Sequence, residues 1–295
     1  MFPFENHRWK LLFSPERKTI RRQFTSLRNY LFHFMIMPTQ HNWFFVLSPP
    51  LDGASNMQID QCLHLFSETS RNPVTLIRFY RWNQPTVSLG CHQRPELALA
   101  LEYCKEHLIP WVRRPTAGRA VFHGNELTYT VASNDCFHFP LNSIQKIHER
   151  ISAALQKGLN QLGIFPEKAT GNRIRDIHLT HLQKPCFVAA SRHELVQGSR
   201  KIVGSAQKKL KRSFLQHGSI PLTIHYKIMA DALGIKEKSL RSRTISVSEA
   251  AGRRITFNEA SQAMKHGFQH VFGIQFKKTV RDFQESFPGH CHKSA

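Results

Sequence analysis

Between positions 113 and 123 the chain reads Arg113-Arg114-Pro115-Thr116-Ala117-Gly118-Arg119-Ala120-Val121-Phe122-His123. Guanidinium groups bind phosphate or orient a carbonyl, and small residues let backbone N–H groups come close to an anionic or thioester-bearing ligand. The same composition also makes a plain turn with a solvated basic pair. The segment is neither a Walker A loop nor a G-x-G-x-x-G dinucleotide fingerprint. Lys201 is a second candidate, since an ammonium beside an acyl carbonyl or phosphate stabilises the negative charge of acyl transfer. With no such partner it is an exposed lysine on a hairpin beside Gly198 and Arg200. Cys186 is a third: its thiolate can take an acyl group from one thioester and pass it to an amine without ATP. A cysteine next to a phenylalanine is more commonly buried and inert. His123 and His217 can take a proton from an attacking amine, because histidine titrates near neutrality. Strand histidines also orient neighbours or pack in cores, and with 18 histidines the residue type alone does not choose.

The elements that must position these groups follow from patterning. Asn56–Phe66 reads as a helix, and Val74–Tyr80 and Thr86–Leu89 as two strands joined by the turn Trp82-Asn83-Gln84-Pro85. Pro95–Glu106 reads as a helix, followed by strands at Ile109–Val112 and Leu127–Val131. Ser143–Leu162 is the clearest helix, with Ser143 as cap, one apolar stripe from Ile144 to Leu162, and Gly163 as stop. Thr170–Lys184 looks like a loop, and strand patterns resume at Phe187–Ala190, Glu194–Val196, Lys201–Val203 and Phe214–Leu222. Asn258 is a good N-cap for a last helix carrying Ala260, Met264, Phe268, Val271 and Phe272. Strands and helices mixed without a regular βαβ rhythm point to α+β, or mixed α/β, architecture.

Composition narrows the class without deciding it. There are 41 Lys+Arg against 20 Asp+Glu, a net charge of +21. Such an excess attracts polyanions, whether nucleic acid, an anionic membrane or an acidic carrier protein. No zinc-finger or RNP-type motif supports the nucleic-acid reading, which rests on charge alone. No apolar run approaches the roughly 18–20 residues of a membrane span. The six cysteines show no C-x-x-C pair, and reduced thiols in a cytoplasm are expected. Residues 1–36 read as a flexible basic arm, or sequence upstream of the true start; an organelle-targeting peptide is the alternative.

Four ordered blocks carry a resemblance. The 113–123 segment resembles the R-R-x-T-G-G-x-A-V-x-H motif of the biotin/lipoyl protein ligase and octanoyltransferase superfamily. Arg119 looks more like the octanoyltransferases with G-G-R than the lipoate ligases with G-G-G. Arg78-Phe79-Tyr80-Arg81-Trp82, with Ser88-Leu89-Gly90 and Gln93, looks like the family's first strand pair, which helps shape the acyl pocket. Lys201-Ile202-Val203-Gly204-Ser205-Ala206-Gln207 matches its K-[IV]-x-G-S-A-Q block, and Leu215-Gln216-His217-Gly218-Ser219-Ile220 the strand after it. Ala117 departs from the first motif glycine, and Gly124 stands where an aspartate usually follows the histidine; the second change puts that aspartate's role in doubt.

The resemblance implies a biotin/lipoyl protein ligase-like catalytic domain over 37–222, with a mixed, largely antiparallel sheet flanked by helices. A C-terminal helical extension over 223–280 and a tail over 281–295 would follow. It implies transfer of an octanoyl or lipoyl group to a lysine of a lipoyl-domain protein, through a thioester on Cys186 formed from octanoyl-acyl carrier protein. Lys201 would be the second catalytic residue. Arg78, Arg114, Thr116, Ala117, Gly118, Arg119, Ala120, His123, Gly204, Ser205, Ala206 and His217 would shape the acyl site. Acceptors would be proteins such as the glycine cleavage H protein or the E2 subunits of 2-oxoacid dehydrogenases. That route needs no cofactor and no metal, and a monomer in the cytoplasm is expected. The alternative is an ATP-dependent lipoate–protein ligase working through lipoyl-adenylate, with ATP and Mg2+. A second alternative, from charge, is a non-catalytic nucleic-acid-binding protein on the same fold.

Overall fold

The computed structural model describes residues 42–169, 194–276 and 279–281. In chain order the first half runs β1 (Asn42–Leu47), α1 (Gly53–Thr69), β2 (Val74–Tyr80), β3 (Thr86–Leu89), α2 (Pro95–Ala98), α3 (Leu101–Glu106), β4 (Trp111–Arg113), β5 (Val121–His123), β6 (Glu126–Ser133) and α4 (Ile144–Gln161). Then come β7 (Glu167–Lys168), β8 (Leu195–Gln197), β9 (Arg200–Lys201), β10 (Gly204–Lys209), β11 (Phe214–Pro221), α5 (Tyr226–Ala232), α6 (Glu237–Arg241), α7 (Val247–Ala251), α8 (Phe257–Phe272) and β12 (Thr279–Arg281). Among the described residues no helix is long and apolar enough to cross a membrane.

The main sheet has six strands in the order β10-β11-β6-β2-β1-β12. The pairs β10/β11, β11/β6 and β6/β2 are antiparallel, while β2/β1 and β1/β12 are parallel. This is the mixed α/β architecture expected from the patterning, with the mixed, largely antiparallel sheet that the resemblance implied. A smaller sheet, β4-β3-β5, carries the arginine-rich segment at its edge, and a third, β7-β8-β9, holds Lys201.

Strand β6 divides the molecule. All eight of its residues are buried, and side chains alternate between the two faces. Leu127, Tyr129 and Val131 join the main core with Phe45, Phe79 and the apolar stripe Ile147, Ile151, Leu155 and Leu159 of α4. Helix α8 lies against α4 so closely that a methyl group on Gly267 would fall 2.2 Å from the Ala154 carbonyl oxygen. Glu126, Thr128 and Thr130, on the other face of β6, are buried and polar, which requires partners there.

Val74–Tyr80, Thr86–Leu89 and the Ser143-capped helix stand where the patterning puts them, and Gly163 follows the helix with φ +79. Several boundaries differ. The helix expected over 95–106 is two short helices, because the Ala100 N–H leaves the helical ladder and bonds the Ala232 carbonyl of α5. The last helix is capped by Thr256 rather than Asn258: Thr256 and Glu259 satisfy each other's backbone N–H in a capping box. The strand expected at 109–112 is Trp111–Arg113, and the one expected over 201–203 stops at Lys201 before β10 begins at Gly204. The loop and strand expected at 170–184 and 187–190 lie outside the described residues.

Candidate active site

Cross-strand register builds the site's back wall. In an antiparallel sheet directly opposed residues share a face. Arg78, Thr130, His217 and Ala206 therefore form one row across β2, β6, β11 and β10. Tyr80, Thr128, Ser219 and Gly204 form the next. Helix α1 covers the first row with Asn56 and Asp60, one turn apart and both fully buried. The small sheet brings Ser88 of β3 and His123 of β5 against the second row. Between these layers lies a cavity that, with its mouth, holds about 370 Å³ of empty space. Met57, Tyr80, Trp82 and Val121 give it apolar walls; Ser88, Arg114, His123 and His217 give it polar ones.

Behind the cavity Arg78 is fully buried and meets Asp60 at 3.0 Å, with further bonds to Asn56 and the Ser48 hydroxyl. The other Asp60 oxygen accepts from the Tyr80 hydroxyl at 3.0 Å and from His217 Nδ1 at 3.0 Å. Burial by itself would raise the Asp60 carboxyl, but the His217 hydrogen bond and the Arg78 charge outweigh it and hold it below its ordinary value. Burial pushes His217 the other way, below its ordinary value, with Asp60 opposing. A neutral His217 that donates from Nδ1 must accept at Nε2. Its partner there is the Thr116 hydroxyl, 2.7 Å away.

The arginine-rich segment is a loop clasped by its own side chain. Arg114 folds back so that Nε donates to Thr116 Oγ1 at 3.1 Å, Nη1 to the Ser88 carbonyl at 3.0 Å, and Nη2 to the carbonyls of Ala117 and Arg119 at 2.9 and 2.8 Å. Gly118 has φ +98, a backbone that L side chains avoid. Across from it, a methyl group on Gly90 would fall 2.0 Å from the Gly118 carbonyl oxygen. Ala117 is not among the residues with positive φ, so the alanine there costs the loop nothing in backbone strain.

A second chain of bonds runs through His123. Trp82 Nε1 donates to Thr128 Oγ1 at 2.9 Å, which leaves the Thr128 proton for Glu126. The other Glu126 oxygen accepts from Ser219 at 2.6 Å. His123 Nδ1 lies 2.7 Å from Glu126 and His123 Nε2 lies 2.7 Å from the Ser88 hydroxyl. The Trp82 ring stacks on His123, with centroids 4.0 Å apart.

Of the residues singled out from sequence, Arg114, His123, Gly204, Ser205, Ala206 and His217 line the one cavity. Thr116 stands directly behind His217, and Ala117, Gly118 and Arg119 form the clasped loop. Ala120 packs into a separate apolar cluster under the small sheet, and Arg78 lies behind Asp60 rather than at the cavity wall. Lys201 is also off the wall: its ammonium donates to Glu194 at 2.7 Å, with the two side chains 1% and 4% exposed. That pair lies close to Tyr129, whose hydroxyl meets Ser205 at 2.7 Å and is pushed up to about 12 by burial, with Glu194 adding to the rise. Cys186 lies outside the described residues. Asp60, Glu126 and the Ser88 hydroxyl were not among the candidates. Their signals were faint: a polar stripe on α1, and a carboxylate opening an apolar strand.

Comparison with known proteins decides the family. The model of the lipoyl protein ligase A/B catalytic domain matches residues 52–269. The chain belongs to the lipoyl protein ligase A/B catalytic domain family. The octanoyltransferase LipM of Moorella thermoacetica is 34% identical over 249 residues, covering 81% of this chain and 89% of that one. LipM of Anoxybacillus flavithermus is 32% identical, covering 80% and 88%. A lipoate-protein ligase A bound with ATP superposes with a TM-score of 0.64 at 22% identity, covering 84% of this chain and 92% of that one. A bi-partite lipoate protein ligase from Thermoplasma acidophilum gives 0.64 at 21% identity, covering 84% and 90%. At that identity the likeness speaks for the fold. Within this family fold, the cavity opens at the clasped loop and the two cross-strand rows.

Proposed function

We propose that this family member is a protein-lysine octanoyltransferase, an acyltransferase that moves an eight-carbon acyl group onto a lipoyl domain. The single observation that carries the reading is its likeness, over about four-fifths of the chain, to enzymes named octanoyltransferase. The cavity supports it, because apolar walls meet hydroxyl and imidazole groups at one end. A fatty acyl chain needs the first and its carbonyl the second.

In this reading octanoyl arrives as the thioester of acyl carrier protein, whose acidic surface suits a chain of +21. Cys186 takes the acyl group and releases the carrier thiol. The acceptor lysine of a lipoyl domain, such as that of an H protein or an E2 subunit, then attacks the acyl-enzyme. A C–N bond forms, the C–S bond breaks, and the amine proton ends on the departing Cys186 sulfur. Lys201 is the second catalytic candidate of this reading, its ammonium paired to Glu194 in a buried place off the cavity wall. The transferase needs no ATP and works in the cytoplasm as a monomer.

Intact-mass measurement after incubation with octanoyl-acyl carrier protein tests it. The expected result is one octanoyl adduct, labile to hydroxylamine and absent in Cys186→Ser. Full transfer by Cys186→Ser overturns the thioester route. Lipoate-dependent ATP–pyrophosphate exchange would instead assign an adenylating ligase.

A further inference from the structure

We propose that Ser88, His123 and Glu126 form the proton relay that deprotonates the attacking lysine, with Glu126 as the positioning residue. The inference rests on the acyl-transfer reading above and joins His123, a candidate from sequence, to Ser88 and Glu126, which were not site candidates.

The direction of every hydrogen bond in the relay follows from its neighbours. Thr128 accepts the indole N–H of Trp82, so its own proton goes to Glu126; Ser219 fills the other Glu126 oxygen. Glu126 is thus an acceptor throughout, and His123 must donate to it from Nδ1. That leaves the Nε2 lone pair of His123 facing the Ser88 hydroxyl on the cavity wall. A hydroxyl, an imidazole and a carboxylate in line at 2.7 and 2.7 Å are the geometry of a proton-accepting triad.

Ser88 is a conduit rather than a nucleophile here. It sits in the central strand of the small sheet, opposite Val112 on one side and Val121 on the other. Its backbone is paired in both ladders. As the lysine amine attacks the acyl carbonyl, its proton passes to Ser88 Oγ while the Ser88 proton passes to His123 Nε2. Ser88 ends as a hydroxyl and His123 as an imidazolium paired to Glu126. When the C–S bond breaks, the same two protons move back and the thiolate leaves as a thiol. His217 cannot take this part. Its Nδ1 is held by Asp60 and its Nε2 by Thr116, which is fully buried and off the cavity wall, whereas Ser88, which Arg114 Nη1 also reaches at 3.4 Å, lines the cavity.

The test separates the two half-reactions. Glu126→Gln and Ser88→Ala are each charged with octanoyl from acyl carrier protein, followed by intact mass, then chased with a lipoyl domain. Both variants should pass the acyl group on about 100-fold more slowly, a larger loss than any in the charging step, with KM for the lipoyl domain unchanged. Ring 15N spectra should show His123 as the Nδ1–H tautomer in the native protein and a mixture in Glu126→Gln, a readout that does not depend on turnover. Ser88→Ala keeps every Glu126 contact, so it stands if Glu126→Gln folds poorly. Native chase rates in both variants overturn the relay while leaving acyl transfer intact. A native Nε2–H tautomer overturns it too. A native protein that transfers no acyl group overturns the function and the relay together.

Discussion

Two histidines face one cavity, each on a buried strand and each backed by a carboxylate, yet their surroundings make them opposites. His217 is saturated. Asp60 holds one nitrogen, Thr116 the other, and Asp60 is itself anchored by Arg78 and Tyr80. His123 is held on one side only by a fixed carboxylate, while its other nitrogen meets a hydroxyl on the cavity wall. A histidine with both nitrogens tied into buried groups stiffens a site. One whose second nitrogen faces the reactants through a single mobile proton can do chemistry. The His217 network belongs to the sheet and α1 and clamps the arginine loop. The His123 network belongs to the small sheet, meets the same arginine through Ser88, and in the proposed relay carries the proton of the reaction.

The sharpest way to break this contrast is Asp60→Asn. It leaves Arg78 buried without its carboxylate, and a loss of about 3–5 kcal/mol is expected. Chemical denaturation should show that loss, while the acyl-transfer rate per folded molecule changes little. Glu126→Gln should instead slow acyl transfer per folded molecule, and a variant pair with the same rate would erase the distinction. Thr116→Val comes next. It strips the acceptor of Arg114 Nε and the donor to His217 Nε2, costing about 1–3 kcal/mol by leaving a buried polar atom unmatched. The clasped loop loosens, so KM for the acyl donor should rise more than kcat falls.

The smallest effect is a pH dependence. His217 is held below its ordinary value by burial. His64 of α1 is driven down to about 4 by burial and Lys208, against Glu68. Both bind a proton less readily in the folded protein than in the unfolded chain. The unfolded state therefore binds more protons, and stability falls as the pH drops below about 6.5. For His64 the decline ends near its folded value of about 4. Denaturation midpoints at pH 7.5, 6 and 5 should show the slope, and His64→Leu should make it shallower.

Much of this scaffold was legible in the residues. Val74–Tyr80 and the Ser143-capped helix follow directly from alternation and a 3.6-residue stripe, and the ordered motifs located the loop and the β10/β11 hairpin. What could not be read is long-range. Asp60 and His217 are 157 positions apart, and the cross-strand rows that align them exist only once the register is set. Arg78 and Lys201 illustrate the same limit. Both were marked by the motifs, and both turned out to meet a carboxylate behind the wall: Asp60 for one, Glu194 for the other. Glu126 was hidden because a carboxylate at the head of an apolar strand looks like a strand boundary until its three hydrogen-bond donors are known. Ala100 moved a helix end through a tertiary bond to Ala232, and Thr256 moved one through a local capping box, neither of which propensity weighs.

The close contact of Gly267 with Ala154 bears on how the chain is made. The face of the sheet carrying Phe79, Tyr129 and Val131 is covered in part by α8, and Met264 and Phe268 belong to the same core. A ribosome delivers residues in order, at about 5–20 per second. The catalytic strands and the clasped loop emerge well before the helix that seals them. Until that helix is made, the core contacts of Met264 and Phe268 cannot form, and α4 alone can cover that sheet face. Synthesis of the last helix is the step that completes the first strands.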